Sequence, residues 1–173
     1  LSNNCHSNIR AGIGISEGAC PIVRKNHCHN NRRAGIGVRT GQDTRPLIIN
    51  NDCHDNAMTG IGVSDGSYAI IRGNHCYKNA LTGIGLQTGA SALIIGNECN
   101  DNKAAGIGHR EVGETLVMDN HIHHNGASGL GFDTTSIDST SKCVGNRIHD
   151  NNLVGVGIHK GWNVQLVGNE ISR

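Results

Sequence analysis

The sequence predicts an all-β fold in which the chain winds into a single parallel β-helix of about seven coils. A pattern of small residue, Gly, aliphatic and Gly occurs seven times, and successive copies begin 23 to 26 residues apart. Self-similarity at such a period is typical of stacked repeat proteins rather than of globules. An Asn-x-Cys or Asn-x-Ile triplet keeps the same spacing upstream of every copy. The seven copies begin at Ala11, Ala34, Thr59, Thr82, Ala105, Ser128 and Val154.

Three short strands are predicted in each coil, because the apolar runs are too short for helices and alternate with period two between Asn and Gly residues. The first strand is the segment at Pro21 and its equivalents. One aliphatic or thiol side chain per coil faces inward from it. These inward positions are Val23, Ile48, Ile71, Ile94, Val117, Cys143 and Leu166.

The second strand is the Asn-x-Cys/Ile segment. Its inward Cys gives way to Ile122, Ile148 and Ile171 in later coils. A position that accepts Ile is apolar, and free Cys behaves as a small buried hydrophobe. Parallel Cβ vectors on adjacent rungs also suit a disulfide poorly. We therefore expect the thiols to be reduced and inert, and the flanking Asn residues to stack into structural ladders.

The third strand is the Gly-aliphatic-Gly segment, with both flanking aliphatic positions facing inward. We expect the first Gly of each pair at a turn that needs positive φ. The second Gly should face outward, where Gly weakens a strand and often marks close approach of a ligand or another backbone. The sequence thus predicts a ribbon without side chains, either a seat for a polymer or a docking face for another sheet. The ligand-facing positions are Gly14, Gly37, Gly62, Gly85 and Gly108.

Length and charge indicate the class of protein. At 173 residues we expect one domain over residues 1–173, and the formal charge of +1 comes with no basic run. This excludes the electrostatic signature of a nucleic-acid partner, and no apolar stretch reaches the ~20 residues of a membrane helix. The chain begins and ends inside a second strand without a polar cap, so we expect the domain to be part of a longer helix or to be capped by a partner.

These repeats resemble the right-handed parallel β-helices of the pectin-lyase-like superfamily, including carbohydrate-binding and sugar-hydrolase repeats and NosD-type periplasmic proteins. The likeness covers the whole chain. It implies a right-handed helix, an extracytoplasmic location and a polysaccharide ligand. It does not fix an activity, because one fold hosts many functions.

Two outward positions flank the Cys/Ile of the second strand, and they are rich in His and acidic residues. Residues two apart on a strand share a face with those on the next rung, ~4.8 Å away. His27, His29, Asp52 and His54 should therefore form a patch that could bind Zn or Cu. A second, weaker corner comprises His121, His123 and His149. The competing interpretation is a surface ladder in which His gains from neighbouring carboxylates.

Catalytic residues are not evident. Lyases and glycosidases of this fold use grouped acids or a carboxylate pair. Here the acids stand on alternate coils or in the long loop, and neither set forms a tight cluster; they are Glu17, Asp65, Glu111, Asp133 and Asp138. His109 replaces an inward aliphatic, and we expect it to be a buried structural His.

An aliphatic stripe is predicted on the outward face of the first strand. Such a stripe approaches the few hundred Å² of apolar surface that monomers tolerate. We therefore expect a symmetric homodimer through this sheet, unless flanking segments cover the stripe. The predicted interface residues are Ile22, Leu47, Ile70, Leu93 and Leu116.

Together these features predict a repetitive binding scaffold, directed to polysaccharide by the resemblance. The alternatives are a metal-binding helper protein that uses the His/acid patch, and a lyase or epimerase whose site lies outside this segment.

Overall fold

The computed structural model describes residues 1–133 and 139–173, and this part of the chain contains 22 strands and no helix. The strands form three parallel sheets, and a full coil contributes one strand to each. The predicted all-β parallel helix of about seven coils is therefore confirmed. We name the sheets after their outward side chains: the histidine sheet, the glycine sheet and the aliphatic sheet.

The histidine sheet contains the Asn-x-Cys/Ile strands. In spatial order these are β1 (Asn4–His6), β4 (His27–His29), β7 (Asp52–His54), β10 (His75–Tyr77), β13 (Glu98–Asn100), β16 (His121–His123), β19 (Arg147–His149) and β22 (Glu170–Ile171).

The glycine sheet contains the Gly-aliphatic-Gly strands. They are β2 (Ile13–Ile15), β5 (Ile36–Val38), β8 (Ile61–Val63), β11 (Ile84–Gln87), β14 (Ile107–Arg110), β17 (Leu130–Phe132) and β20 (Val156–Ile158).

The aliphatic sheet contains the remaining strands. They are β3 (Ile22–Arg24), β6 (Leu47–Ile49), β9 (Tyr68–Arg72), β12 (Ser91–Ile95), β15 (Glu114–Met118), β18 (Ser139–Val144) and β21 (Trp162–Val167).

Equivalent residues of successive coils pair without slippage. Cys28 pairs with Cys53, and Gly37 pairs with Gly62. Every coil therefore places the same side chains at the same point of the core, as predicted. The inward aliphatic and Cys side chains of the middle coils are buried. Leu166, predicted to face inward in the last coil, pairs with the buried Cys143 and is itself 44% exposed.

Two asparagine ladders run along the helix and satisfy buried backbone groups, as expected. In the first, Asn51 Nδ2 donates to Asn74 Oδ1 at 2.9 Å and to the Val23 carbonyl at 3.0 Å. The second repeats this arrangement before the glycine sheet, where Asn79 Nδ2 donates to Asn102 Oδ1 at 2.9 Å. Because buried polar groups need partners, these ladders fix the corners of the coil.

The prediction of positive φ at the first Gly of each pair is wrong. None of these seven glycines has a positive φ. A Cβ on Gly60 would instead lie 2.7 Å from the Gly83 carbonyl oxygen and 2.9 Å from Asn79 Nδ2. The first Gly is therefore required by the close approach of the next coil. Positive φ falls on the residue before each ladder Asn, for example on Lys25 with φ 55°.

All seven cysteines are free, and five of them are buried. The hydrogen bonds with neighbouring thiols, together with burial, raise the pKa of Cys76 well above its usual range. The thiols thus serve as apolar core groups. No helix in the described part of the chain is long and apolar enough to span a membrane.

Candidate ligand groove and histidine cluster

A groove follows the outward face of the glycine sheet. One section of about 310 Å³ lies over Gly14, Gly37, Gly62 and Gly85. The next section, of about 320 Å³, continues over Gly85 and Gly108. The five predicted ligand-facing glycines therefore form one continuous floor, which we call the glycine groove. At ~4.8 Å per rung, Gly14 and Gly108 are ~19 Å apart along the helix axis.

The space above the floor is open at one end and narrower at the other. A Cβ on Gly14 would have no atom within 4 Å, and one on Gly37 would contact only the Ala11 Cβ, at 3.4 Å. At Gly85, by contrast, a Cβ would lie 2.7 Å from the Thr82 hydroxyl oxygen. Packing therefore explains Gly at the Gly85 rung, but it does not explain Gly14 or Gly37.

Arginines line the open end of the groove. Arg10 and Arg33 line one side of the floor, and Arg39 follows the same strands on the other side. All three are exposed, and none of them pairs with a carboxylate among the residues that the structure describes. The remaining lining is mostly small or apolar, and includes Ala34 and Met58. This end of the groove is therefore a cationic channel with an unobstructed floor.

The second section of the groove ends at a more polar group of residues. Arg110 donates to the Asp133 carboxylate at 3.3 Å, and this pair borders the floor beside Gly108. His109 faces inward and is 2% exposed, so it is the buried His that the sequence predicted.

The acids considered for catalysis do not converge. Three of them occupy turn positions of positive φ after glycine-sheet strands on separate coils: Glu17, Asp65 and Glu111. Asp138 lies outside the described residues. Among the described residues, these acids therefore form no carboxylate pair of the kind that glycosidases use.

The predicted metal residues lie side by side on the histidine sheet, but each one has its own contacts. His27 Nδ1 is 3.5 Å from an Asp52 carboxylate oxygen. The rings of His29 and His54 stack with their planes 4° apart and their centroids 5.0 Å apart. His54 Nδ1 donates to Asp55 Oδ2 at 2.8 Å. Among the described residues, no three ligand atoms of this set lie within 4.8 Å of one another, and metal binding by the set stays a prediction.

Farther along the same sheet, ligand atoms do converge. Glu98, His121 and His123 each offer an atom within 4.8 Å of the others, the one such group in the described ranges 1–133 and 139–173. Glu98 Oε1 is 3.2 Å from His123 Nε2, and His121 Nε2 is 2.7 Å from His149 Nε2. We call these four residues the histidine cluster.

The family model described as "Right handed beta helix region" matches residues 1–107 and 48–173. These two overlapping stretches cover the whole chain. The chain belongs to the right-handed β-helix family. No curated protein matches its sequence significantly.

Three solved structures show the same β-helix. The periplasmic alginate epimerase AlgG superposes with a TM-score of 0.85 at 20% identity, over 96% of this chain and 43% of that one. The Azotobacter vinelandii mannuronan C-5 epimerase AlgE4 A-module gives 0.83 at 21% identity, over 98% and 52%. Pectate lyase Pel9A gives 0.63 at 14% identity, over 98% and 54%. The chain thus spans about half of each of these proteins, and the likeness is one of fold.

The predicted aliphatic stripe is present on the outward face of this β-helix. Ile22 pairs with Leu47, and the column continues through Ile70, Leu93 and Leu116 before Lys142 enters it. Ile22 is 69% exposed, while the others are half-buried by their neighbours in the column. The register agrees with the prediction, and self-association through this face stays a prediction.

Two groups of site residues were missed by sequence reasoning. Arg10 and Arg33 share the position just before a Gly-aliphatic-Gly segment, which was the available signal, and Arg39 follows the second of these segments. Glu98 stands in the same outward column as His121. Glu98 contacts His123 diagonally, from one strand to the next. Side-chain rotamers, rather than the spacing of the repeat, determine whether this contact forms.

Proposed function

We propose that the glycine groove binds an extended anionic polysaccharide lying along the helix axis. The observation that carries this is the pair Gly14 and Gly37, where neither positive φ nor packing requires Gly. Gly in a strand costs stability, and it marks close approach of another group. A ligand that occupies the floor accounts for both residues.

Charge selects the class of polymer. Arg10, Arg33 and Arg39 surround the open end, and guanidinium groups bind carboxylates with a pair of parallel hydrogen bonds. The three structurally similar proteins are named for alginate, mannuronan and pectate, which are carboxylate-bearing polysaccharides. We expect this chain to meet such a polymer in an extracytoplasmic compartment. The structurally similar AlgG is described as periplasmic.

The binding test compares polymannuronate and polygalacturonate with neutral dextran by calorimetry. We expect the two anionic polymers to bind, with affinity that falls as salt is added, because exposed charges are screened over ~10 Å at 0.1 M salt. Dextran should bind at least tenfold more weakly. Equal affinity for dextran would contradict an anionic ligand.

Two variants locate the ligand. Gly37→Leu places a side chain on the groove floor, where the new Cβ makes only ordinary contact with Ala11, so binding should be lost while thermal unfolding is unchanged. Arg33→Gln should weaken binding, whereas Arg32→Gln, at the neighbouring position that lines a different surface, should not. Equal losses in the two Arg variants would indicate nonspecific attraction and reject the groove.

A further inference from the structure

On a different face from the groove, the histidine cluster spans three rungs of the histidine sheet. It combines Glu98 on β13, His121 and His123 on β16, and His149 on β19. We propose that these four side chains bind one divalent transition-metal ion of the Zn²⁺ and Cu²⁺ class.

The ligand chemistry fits such an ion. Zn²⁺ in proteins takes His nitrogen at 2.0–2.1 Å and carboxylate oxygen at 2.0–2.2 Å, so tetrahedral ligand atoms lie ~3.3 Å apart. The measured separations bracket this value, with 2.7 Å between His121 Nε2 and His149 Nε2 and 3.2 Å between His123 Nε2 and Glu98 Oε1. Ligand atoms of Glu98, His121 and His123 already lie within 4.8 Å of one another, and His149 Nε2 adjoins His121 Nε2.

Neighbouring residues orient two of the imidazoles. Asp150 Oδ2 accepts a hydrogen bond of 2.7 Å from His149 Nδ1, which leaves the lone pair on Nε2 directed into the cluster. His123 Nε2–H donates to Glu98 Oε1 at 3.2 Å, so binding of an ion at Nε2 requires the tautomer with the proton on Nδ1, which lies 2.8 Å from His124 Nδ1. A metal-bound His almost always donates its other ring N–H to a carboxylate, a backbone carbonyl or water, and Asp150 is such a carboxylate for His149. The side chains of His123 and His149 are only 14% and 17% exposed, so packing by their neighbours restricts both rings.

The predicted patch supplies a matched comparison on the same sheet. His27 and His29 occupy on β4 the positions that His121 and His123 occupy on β16. His29 Nε2 contacts the Asn4 amide oxygen at 2.8 Å, where His123 Nε2 contacts the Glu98 carboxylate, so the predicted patch lacks an anionic ligand at this position. His54 bonds Asp55 as His149 bonds Asp150, and His54 stacks on His29 as His149 stacks on His123, with ring planes 4° apart in both pairs. The difference is His121, whose Nε2 lies 2.7 Å from His149 Nε2, whereas His27 turns Nδ1 to Asp52 at 3.5 Å.

The test is Zn²⁺ titration, by calorimetry and chelator competition, into the 173-residue chain prepared without a His tag. We expect one equivalent to bind. The double variant His121→Asn, His123→Asn should lose at least 100-fold in affinity, and Asp150→Asn should lose 10- to 100-fold, as is typical for such outer partners. Two controls use the predicted patch: the double variant His27→Asn, His29→Asn and the single variant Asp55→Asn. Both should bind Zn²⁺ within about twofold of wild type.

Several results would overturn the proposal. These are absence of Zn²⁺ binding, equal losses in both double variants, or a loss confined to the His27/His29 pair. Circular dichroism checks that each variant is folded. Should the His121/His123 variant unfold, Asp150→Asn decides, and unchanged Zn²⁺ affinity in that variant rejects the site.

Discussion

The buried imidazole of His109 lies nearly flat against the ring of Phe132, with centroids 4.4 Å apart and planes 17° from parallel. The His109 Nδ1–H donates to the Gly131 carbonyl at 3.2 Å, while Nε2 has no partner among the described residues. Burial lowers the pKa of His109 to about 4 from its usual 6.5. The folded protein therefore holds this ring neutral where an unfolded chain would protonate it.

The first prediction follows from that difference. The folded pKa is depressed, so stability is fully present above pH 6.5 and falls as the unfolded state gains a proton between pH 6.5 and about 4. Between pH 7.5 and 4.5 the single group costs about 2.5 kcal/mol. His109→Leu, which copies Leu86 of the preceding coil, should remove that part of the acid sensitivity. Urea unfolding at both pH values measures it, and an unchanged pH dependence would refute the assignment.

The second prediction concerns the ladder residue Asn79. Its amide donates to Asn102 Oδ1 and to the Cys53 carbonyl, and its own oxygen accepts from Asn56 Nδ2 at 3.0 Å. Asn79→Ala leaves buried donors and acceptors on two neighbouring coils without partners, at about 1–3 kcal/mol each. We expect urea unfolding to show a loss of about 3 kcal/mol or more.

The control for this ladder variant is Asn152→Ala. Asn152 is exposed, and its amide makes one contact of 3.4 Å to the Gly126 carbonyl. Its replacement should change stability by less than about 0.5 kcal/mol. Similar effects of the two substitutions would mean that the ladder is not a main source of stability.

The third prediction is the reactivity of the thiols. Cys20 is the exposed cysteine, whereas Cys28, Cys53, Cys76, Cys99 and Cys143 are buried. Burial raises the pKa of Cys143, and thiolate is the reactive form. Ellman's reagent should therefore modify Cys20 first in the native protein, and Cys20→Ser should abolish that fast phase. Fast reaction of several thiols in the Cys20→Ser variant would contradict a closed core.

The spacing of the repeats was sufficient to predict the coil, the three strands and their register, because each position recurs seven times. The spacing did not reveal why Gly60 is Gly, because two different causes require the same residue. One is a turn of positive φ, and the other, which the structure shows, is a carbonyl oxygen 2.7 Å from where a Cβ would lie. The floor of the groove was predicted from the Gly repeat. Its arginine lining was not, because Arg33 lies in a turn whose sequence varies between coils. The histidine cluster depends on rotamers, which a single sequence does not fix.

The last prediction concerns the aliphatic stripe, for which a second copy of the chain is the expected partner. Five large aliphatic side chains follow one another on adjacent rungs from Ile22 to Leu116. Each one fully removed from water contributes about 1.5–3 kcal/mol before the cost of association is subtracted. Sedimentation at tens of micromolar should show a dimer for wild type and a monomer for Leu47→Asp, Leu93→Asp. Leu81→Asp, an exposed Leu beside the groove, should leave the dimer intact. A monomeric wild type, or a double variant that still dimerises, would show that the stripe is not the interface.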